Sequence, residues 1–299
     1  MAQEKSRKDI YQTITDQIVG MLEQGVKPWT QSWEGAQLGM PLRFNGEGYR
    51  GINILSLWAS ATVQGFTKPH WMTFKQALAL GGCVRKGEKG TSVVYANSVS
   101  VTDENTAGDE ERKSMAFLKL YTVFNACQID GIDANYPEPA KGPENPDTRA
   151  AWLDRWFGSL GIKIRHGGPS AHYTPSLDTV QMPNFEQFHS SDDYYSTLAH
   201  ECVHASGHKA RLDRDTLHKS DIPNRAREEL CAELGSAFVC GALGIKLHDR
   251  EDHAAYLASW LRALKDDKRA IFHAASAAQR ASDYLFSLAG DAPSGADGA

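Results

Sequence analysis

The sequence contains no CxxC pair, and its five cysteines, Cys83, Cys127, Cys202, Cys231 and Cys240, are odd in number. That argues against a disulfide framework and for a reducing compartment, with the thiols serving as small buried hydrophobes. No apolar run is long enough to span a bilayer, so no membrane partner is expected. Residues 1–10 are polar and charged and lack the apolar stretch of a signal peptide, and the expected location is the cytoplasm. There is no basic surplus either. Lys and Arg number 32 against 37 Asp and Glu, a net charge of -5. Any nucleic-acid partner must therefore be met by a local patch. No internal repeat is visible. What remains is an ordinary soluble balance, 41% hydrophobic and 23% charged over 299 residues, long enough for two domains.

The hydrophobic pattern divides the chain. Ile10, Ile14, Ile18 and Leu22 recur every four residues, which predicts a helix stopped by Gly25. A loop-rich stretch with Trp29, Trp33, Phe44 and Tyr49 follows, then a short helix over 53–61. Thr73 and Gln76 form a capping box for a helix running to Leu80, which Gly81 and Gly82 end. Residues 91–101 and 115–124 are rich in β-branched and aromatic side chains and read as paired strands, joined by an acidic loop. Pro137, Pro139, Pro143 and Pro146 mark a linker. The second half opens with a helix that places Trp152 and Trp156 on one face, followed by a strand at 162–165. From about Asp192 onward the pattern is helical. The expected fold class is α+β in two domains: 1–136, a linker at 137–150, and a mostly helical 151–290. A small, polar tail at 291–299 is expected to be disordered.

The strongest chemical signal is His200-Glu201-Cys202-Val203-His204, an H-E-x-x-H. Histidines four apart lie one above the other on a helix, so both imidazoles can reach one cation. Such a cation lowers the pKa of bound water, and Glu201, off the histidine axis, is placed to take its proton as the water attacks a carbonyl. Ser191, Asp192 and Asp193 offer caps, and Gly207 offers an exit. A zincin of this type needs a third ligand. Arg227-Glu228-Glu229-Leu230-Cys231-Ala232-Glu233 offers Glu229 and Glu233, four apart on one helix face. The reading favours Glu229 as ligand with Glu233 holding a ligand histidine, and Glu233 as ligand is the alternative. Zn2+ is the expected metal, and Mn2+ suits the same donors. Residues 178–182 are expected to form an edge strand for an extended substrate. Arg211, Asp213 and Arg214 read as a surface ion-pair run.

Between residues 24 and 101, Lys27, Arg43, Arg50, Lys68, Lys75, Arg85, Lys86 and Lys89 face only Glu34, Glu47 and Glu88. Interleaved are Trp29, Trp33, Phe44, Tyr49, Trp58, Trp71, Phe74 and Tyr95. Cations that follow phosphates and flat rings that stack unpaired bases suit single-stranded DNA. Trp58 and Phe74, on helical faces, are assigned to the core. The candidate DNA contacts are Trp29, Trp33, Arg43, Tyr49, Arg50, Trp71, Lys75, Arg85, Lys86 and Lys89.

Several segments together resemble one family. Lys27-Pro28-Trp29, Tyr49-Arg50-Gly51-Ile52-Asn53, Trp71-Met72-Thr73-Phe74-Lys75-Gln76-Ala77, Val84-Arg85-Lys86-Gly87-Glu88-Lys89-Gly90 and Val123-Phe124-Asn125 look like landmarks of the ArdC-type antirestriction proteins. Their amino-terminal module also occurs in conjugative plasmid primases. Leu198-Ala199-His200-Glu201, Gly207-His208 and residues 227–233 are similar to that family's zincin-like domain. The resemblance implies a single-stranded DNA-binding domain followed by a metallopeptidase-like domain. It also implies a plasmid-encoded protein of the bacterial cytoplasm that shields incoming conjugative DNA from host restriction endonucleases. A restriction enzyme or another protein is then a candidate substrate or partner.

Overall fold

The computed structural model describes residues 9–30, 39–102, 112–137, 146–219, 221–247 and 254–289. In the first half, helix α1 (Ile10–Glu23) precedes strand β1 (Leu42–Arg43), helix α2 (Ile52–Gln64), strand β2 (His70–Met72) and helix α3 (Phe74–Ala79). Strands β3 (Cys83–Val84), β4 (Thr91–Thr102), β5 (Arg112–Asn125) and β6 (Ile129–Asp130) follow. Local chemistry explains the helix ends. The Asp9 carboxylate accepts from the amides of Tyr11 and Gln12 to cap α1, and Thr73 with Gln76 forms the expected capping box on α3. Gly25 and Gly81 take positive φ angles just past these helices, where a side chain would be strained. The sheet runs β1-β2-β5-β4. Its long β4–β5 ribbon is antiparallel from Thr91↔Val123 to Thr102↔Arg112, and the expected acidic connection lies outside the described residues.

The second half contains helix α4 (Pro146–Ser159), strands β7 (Ile164–His166), β8 (His172–Thr174) and β9 (Thr179–Met182), and helices α5 (Ser191–Ser206), α6 (Asp215–His218), α7 (Ile222–Leu243), α8 (Ala254–Asp266) and α9 (Ala270–Ala289). Helix α4 begins inside the expected linker, with proline in its first turn, where a missing N–H costs nothing. Of the rest of that linker, residues 138–145 lie outside the described set, as does the tail at 291–299. The small sheet runs β7-β9-β8. This corrects the expectation of an edge strand at 178–182. β9 is central, with β7 paired in parallel on one side and β8 antiparallel on the other, so its backbone groups are already engaged. β8 is the edge beside it.

Among the described residues there are three apolar clusters, of which the smallest gathers Met72, Ala77, Ala126, Ile129, Ile132 and Tyr136 and the two larger ones frame the candidate site. One packs Leu153, Phe157, Leu198, Cys202, Val203 and Val239 beneath α5. The other joins Ile14, Ile18 and Leu22 of α1, Leu55 and Trp58 of α2 and Trp71 to Leu234 and Phe238 of α7, Trp260 of α8 and Ala275 of α9. The sequence divides at the proline-rich stretch, but the first half packs its helices onto those that carry the candidate site.

Candidate metal centre

Helix α5 is capped by Ser190, whose hydroxyl accepts from the amide of Asp193 at 3.1 Å. The cap therefore lies one residue before the expected Ser191. Helix α7 is capped by Asp221 and carries proline in its first turn. The two helices approach closely at Gly235, where a Cβ atom would lie 2.8 Å from Val203 Cγ1. Glycine is thus what lets α7 bring its carboxylates to the α5 histidines.

His200, His204 and Glu229 meet there and form a candidate metal-holding group. The two Nε2 atoms are 3.2 Å apart. Glu229 Oε2 lies 3.6 Å from that of His200 and 3.7 Å from that of His204. Donors about 2.0–2.1 Å from one tetrahedral cation would be roughly 3.3–3.4 Å apart, so this triangle fits such an ion with little adjustment. Its chemistry fits as well. The imidazole His204 Nδ1 donates to Glu228 Oε1 at 3.0 Å, so that Nε2, once freed of a proton by an incoming cation, would turn its lone pair toward the other donors. Glu229 is the carboxylate of the triangle. Glu233 Oε2 lies instead on the other ring nitrogen of His200, at 3.8 Å from Nδ1. Glu201 is buried on α5, one residue past His200.

The electrostatics favour a cation. Burial opposes charge on His204, but the hydrogen bond to Glu228 and the Glu229 carboxylate 3.7 Å away outweigh it and raise its pKa to about 10. Burial likewise works against the ionised forms of Glu228 and Glu229. The bonds of Glu228 to Arg214 and His204, and the imidazoles of His200 and His204 at 3.6 and 3.7 Å from Glu229, hold both well below the usual carboxylate range. Both histidines and Glu201 are buried, while the Glu229 side chain retains 23% exposure, so the triangle is reached from its side. A cavity of about 530 Å³, lined by Arg214, Arg227, Trp260 and Arg280 among others, does not include these donors.

Sequence reasoning missed one pair. Arg214 is not part of a surface run: its side chain is only 9% exposed. It donates to both Glu228 oxygens, at 2.8 and 2.6 Å, and to the Val203 carbonyl at 2.8 Å. Arg211 likewise ties Asp178, just before β9, to the Ala205 carbonyl at the end of α5.

The expected DNA contacts scatter. Trp29, Tyr49 and Trp71 are buried in the core, so their rings offer no face to a base. Arg43 is paired with Glu47 and lies over the Tyr49 ring. Arg50 is paired with Asp283. Arg85 braces its own turn through Glu88, Asp130 and the Cys127 carbonyl. Trp33 lies outside the described residues. Lys75, Lys86 and Lys89 are exposed. Trp58 is buried as expected, whereas Phe74 is not core: it is 49% exposed and meets Phe124 edge-on. Two exposed rings of the first half outside the candidate contacts are Tyr95 and Tyr121, in T-shaped contact at 6.1 Å on the ribbon. Lys119, directly across from Tyr95, shares their face.

Two family models match separate parts of the chain. Residues 8–124 match the family model described as the N-terminal domain of anti-restriction factor ArdC, and residues 151–277 match that of a zincin-like metallopeptidase. The chain is 46% identical to the antirestriction protein ArdC of plasmid R388 in its metal-free crystal structure. That match covers 94% of this chain and 98% of the other with a TM-score of 0.81. The Mn(II)-bound structure of the same protein matches with 45% identity, the same coverage and a TM-score of 0.78. The uncharacterised protein y4eC of Sinorhizobium fredii is 43% identical over 95% of this chain and 94% of its own length. DNA primase TraC of Escherichia coli is 36% identical over 94% of this chain, which spans only 27% of that primase.

Proposed function

The chain belongs to the ArdC antirestriction family, and we propose that it binds single-stranded DNA through its first half and carries a metal-dependent hydrolase site in its second. Together these protect incoming plasmid DNA from restriction in the bacterial cytoplasm. The reading of the second half rests on one observation: two imidazole Nε2 atoms and one carboxylate oxygen form a triangle with edges of 3.2, 3.6 and 3.7 Å. Three protein donors are the number in a catalytic site, which keeps a position open, whereas structural sites close with four. A divalent ion such as Zn2+ or Mn2+ supplies Lewis-acid activation of water there. Each protein group then has one task. His200, His204 and Glu229 hold the ion, Glu228 and Glu233 orient the rings, and Glu201 accepts the proton released as water attacks a carbonyl. The carbonyl belongs to a peptide in this reading, with a host restriction enzyme or another protein as substrate.

For the first half, the exposed rings of Phe74, Tyr95 and Tyr121 with Lys75, Lys86, Lys89 and Lys119 replace the buried tryptophans as the DNA face. Removing both tyrosine rings (Tyr95→Ala with Tyr121→Ala) is expected to lower affinity for an unpaired oligonucleotide by about 1–3 kcal/mol per stacked base. Unchanged binding across a salt series rejects that face.

The alternative is occlusion, in which the protein coats DNA or the restriction enzyme and the metal only braces the fold. Glu201→Gln decides between the two. In the hydrolase reading it keeps its metal but loses both peptide cleavage and protection in cells. Full protection by that variant rejects catalysis as the mechanism.

A further inference from the structure

We propose that the metal centre is completed across the two halves of the chain, with Trp29 as a positioning residue that fixes Glu233 and, through it, the ring of His200. The proposal rests on the reading of His200, His204 and Glu229 as metal ligands. Trp29, in the loop after α1, donates from Nε1 to Glu233 Oε1 at 3.1 Å. The other oxygen of that carboxylate, Oε2, faces His200 Nδ1 at 3.8 Å. The far nitrogen of the same ring, Nε2, is a corner of the donor triangle. Trp29, Glu233 and His200 are all buried, at 1%, 5% and 5% exposure, so bulk water does not stand in for a lost partner.

Trp29 is itself held in place. Its ring meets Trp260 edge-on at 6.3 Å, and the Trp260 indole donates to the Ala226 carbonyl of α7 at 3.0 Å. One loop of the first half is thus wedged against α8 and against the helix that carries Glu228, Glu229 and Glu233. A carboxylate anchored at one oxygen by a rigid indole loses its freedom to rotate, and its second oxygen is aimed at Nδ1. Such outer partners fix the tautomer and orientation of ligand histidines.

The two histidines are supported from different sides. His204 is held by Glu228 and Arg214, both in the second half. The Glu233 carboxylate beside His200 takes a donor from the first. Metal affinity is therefore linked to the seating of the Trp29 loop, and by reciprocity a ligand of the first half that shifts this loop changes metal affinity, as metal changes the affinity for that ligand.

The test uses the full chain, stripped of metal and titrated with Mn(II). Trp29→Phe is expected to weaken Mn(II) binding about tenfold, the lower end of the usual loss for an outer-shell partner. Phe66→Leu, a cut in the same apolar cluster where the ring packs edge-on against Trp71, is expected to lower the melting temperature but to leave affinity within about twofold. In a Glu233→Ala background, Trp29→Phe is expected to add nothing. Equal weakening by Trp29→Phe and Phe66→Leu overturns the proposal, as does full additivity with Glu233→Ala. Unaltered affinity in a folded Trp29→Phe protein overturns it too. Should that variant not fold, the wild-type indole resonances decide: added Zn(II) is expected to shift the Trp29 N–H and leave Trp71 in place, and the converse overturns the proposal. A wild type that takes up neither ion defeats the metal reading itself, and the proposal with it.

Discussion

Replacing Arg214 with methionine tests whether the buried support of the metal centre is correctly identified. The guanidinium makes four contacts: Nε to Glu228 Oε2 at 2.8 Å, Nη2 to Glu228 Oε1 at 2.6 Å and to the Val203 carbonyl at 2.8 Å, and Nη1 to Ser206 Oγ at 3.2 Å. The two side chains are 9% and 6% exposed, so solvent screens the pair little. Methionine fills much of the same volume, and the main loss is the charge that compensates Glu228. Removing one partner of a buried pair costs about 3–5 kcal/mol. Glu228 keeps His204 and the Thr216 hydroxyl, which places the expectation near the lower end, about 3 kcal/mol. For a chain of this size that is on the order of 10 °C in Tm. The assay is thermal and urea unfolding of the metal-free protein. The paired variant Arg214→Met/Glu228→Met, which removes the stranded carboxylate as well, is expected to be more stable than Arg214→Met alone. An Arg214→Met protein within about 1 kcal/mol of wild type refutes the reasoning, and so does a double variant that loses the sum of the single losses.

Gly235→Ala drives a methyl group into Val203 Cγ1 at 2.8 Å. It is expected to cost about 1–3 kcal/mol and to weaken Mn(II) binding in calorimetry; unaltered affinity shows that the triangle does not depend on the α5–α7 spacing. The bond from Arg211 holds the Asp178 carboxyl below its ordinary range, so its contribution is present above about pH 4 and fades as pH falls below that. With Asp178 37% exposed the pair is worth under about 1 kcal/mol. Asp178→Asn, which tolerates the φ of 46° there, is expected to flatten the acid limb of stability between about pH 5 and 3, and an identical limb in both proteins counts against the pair. Chelation is expected to leave the far-UV spectrum intact, because α5 and α7 are joined by fully buried Cys202, Val203, Ala232 and Val239; melting on chelation makes the ion structural.

What the sequence made legible was local. The H-E-x-x-H spacing, the capping box at Thr73 and the paired strands follow from periods of 3.6 and 2 and survive in the structure. The third ligand could be narrowed to Glu229 or Glu233 because residues four apart share a helix face. Their roles depend on which side of His200 each one meets, and only the packing of α7 on α5 decides that. Arg214 reads as surface in a run of charges because nothing local announces that the turn after α5 folds back under His204. Aromatic content could not separate a stacking platform from a core. Trp29, Tyr49 and Trp71 go inside, while Phe74, Tyr95 and Tyr121 remain on the surface. β9 has the composition of a strand, but its rank in the sheet depends on pairing with both β7, which the sequence marks at 162–165, and the three-residue β8, which is too short to register.

The acidic side chains around the α5 histidines form the deeper argument for a cation. Glu201, Glu228 and Glu233 are buried and Glu229 nearly so, a costly arrangement unless positive charge meets it. Arg214 answers Glu228. Among the described residues, Glu229 Oε2 meets the two imidazoles, at 3.6 and 3.7 Å, and has no Lys or Arg partner. Without an ion, a proton on His204 eases that excess, since its neighbours outweigh burial and hold its pKa near 10. A divalent ion at the triangle brings two charges where the proton brings one, and releases that proton as it binds. The residues that orient the rings are useful only if the far nitrogens have something to hold. A helix that carried the pentapeptide by chance would give α7 no reason to turn three further glutamates toward its histidines.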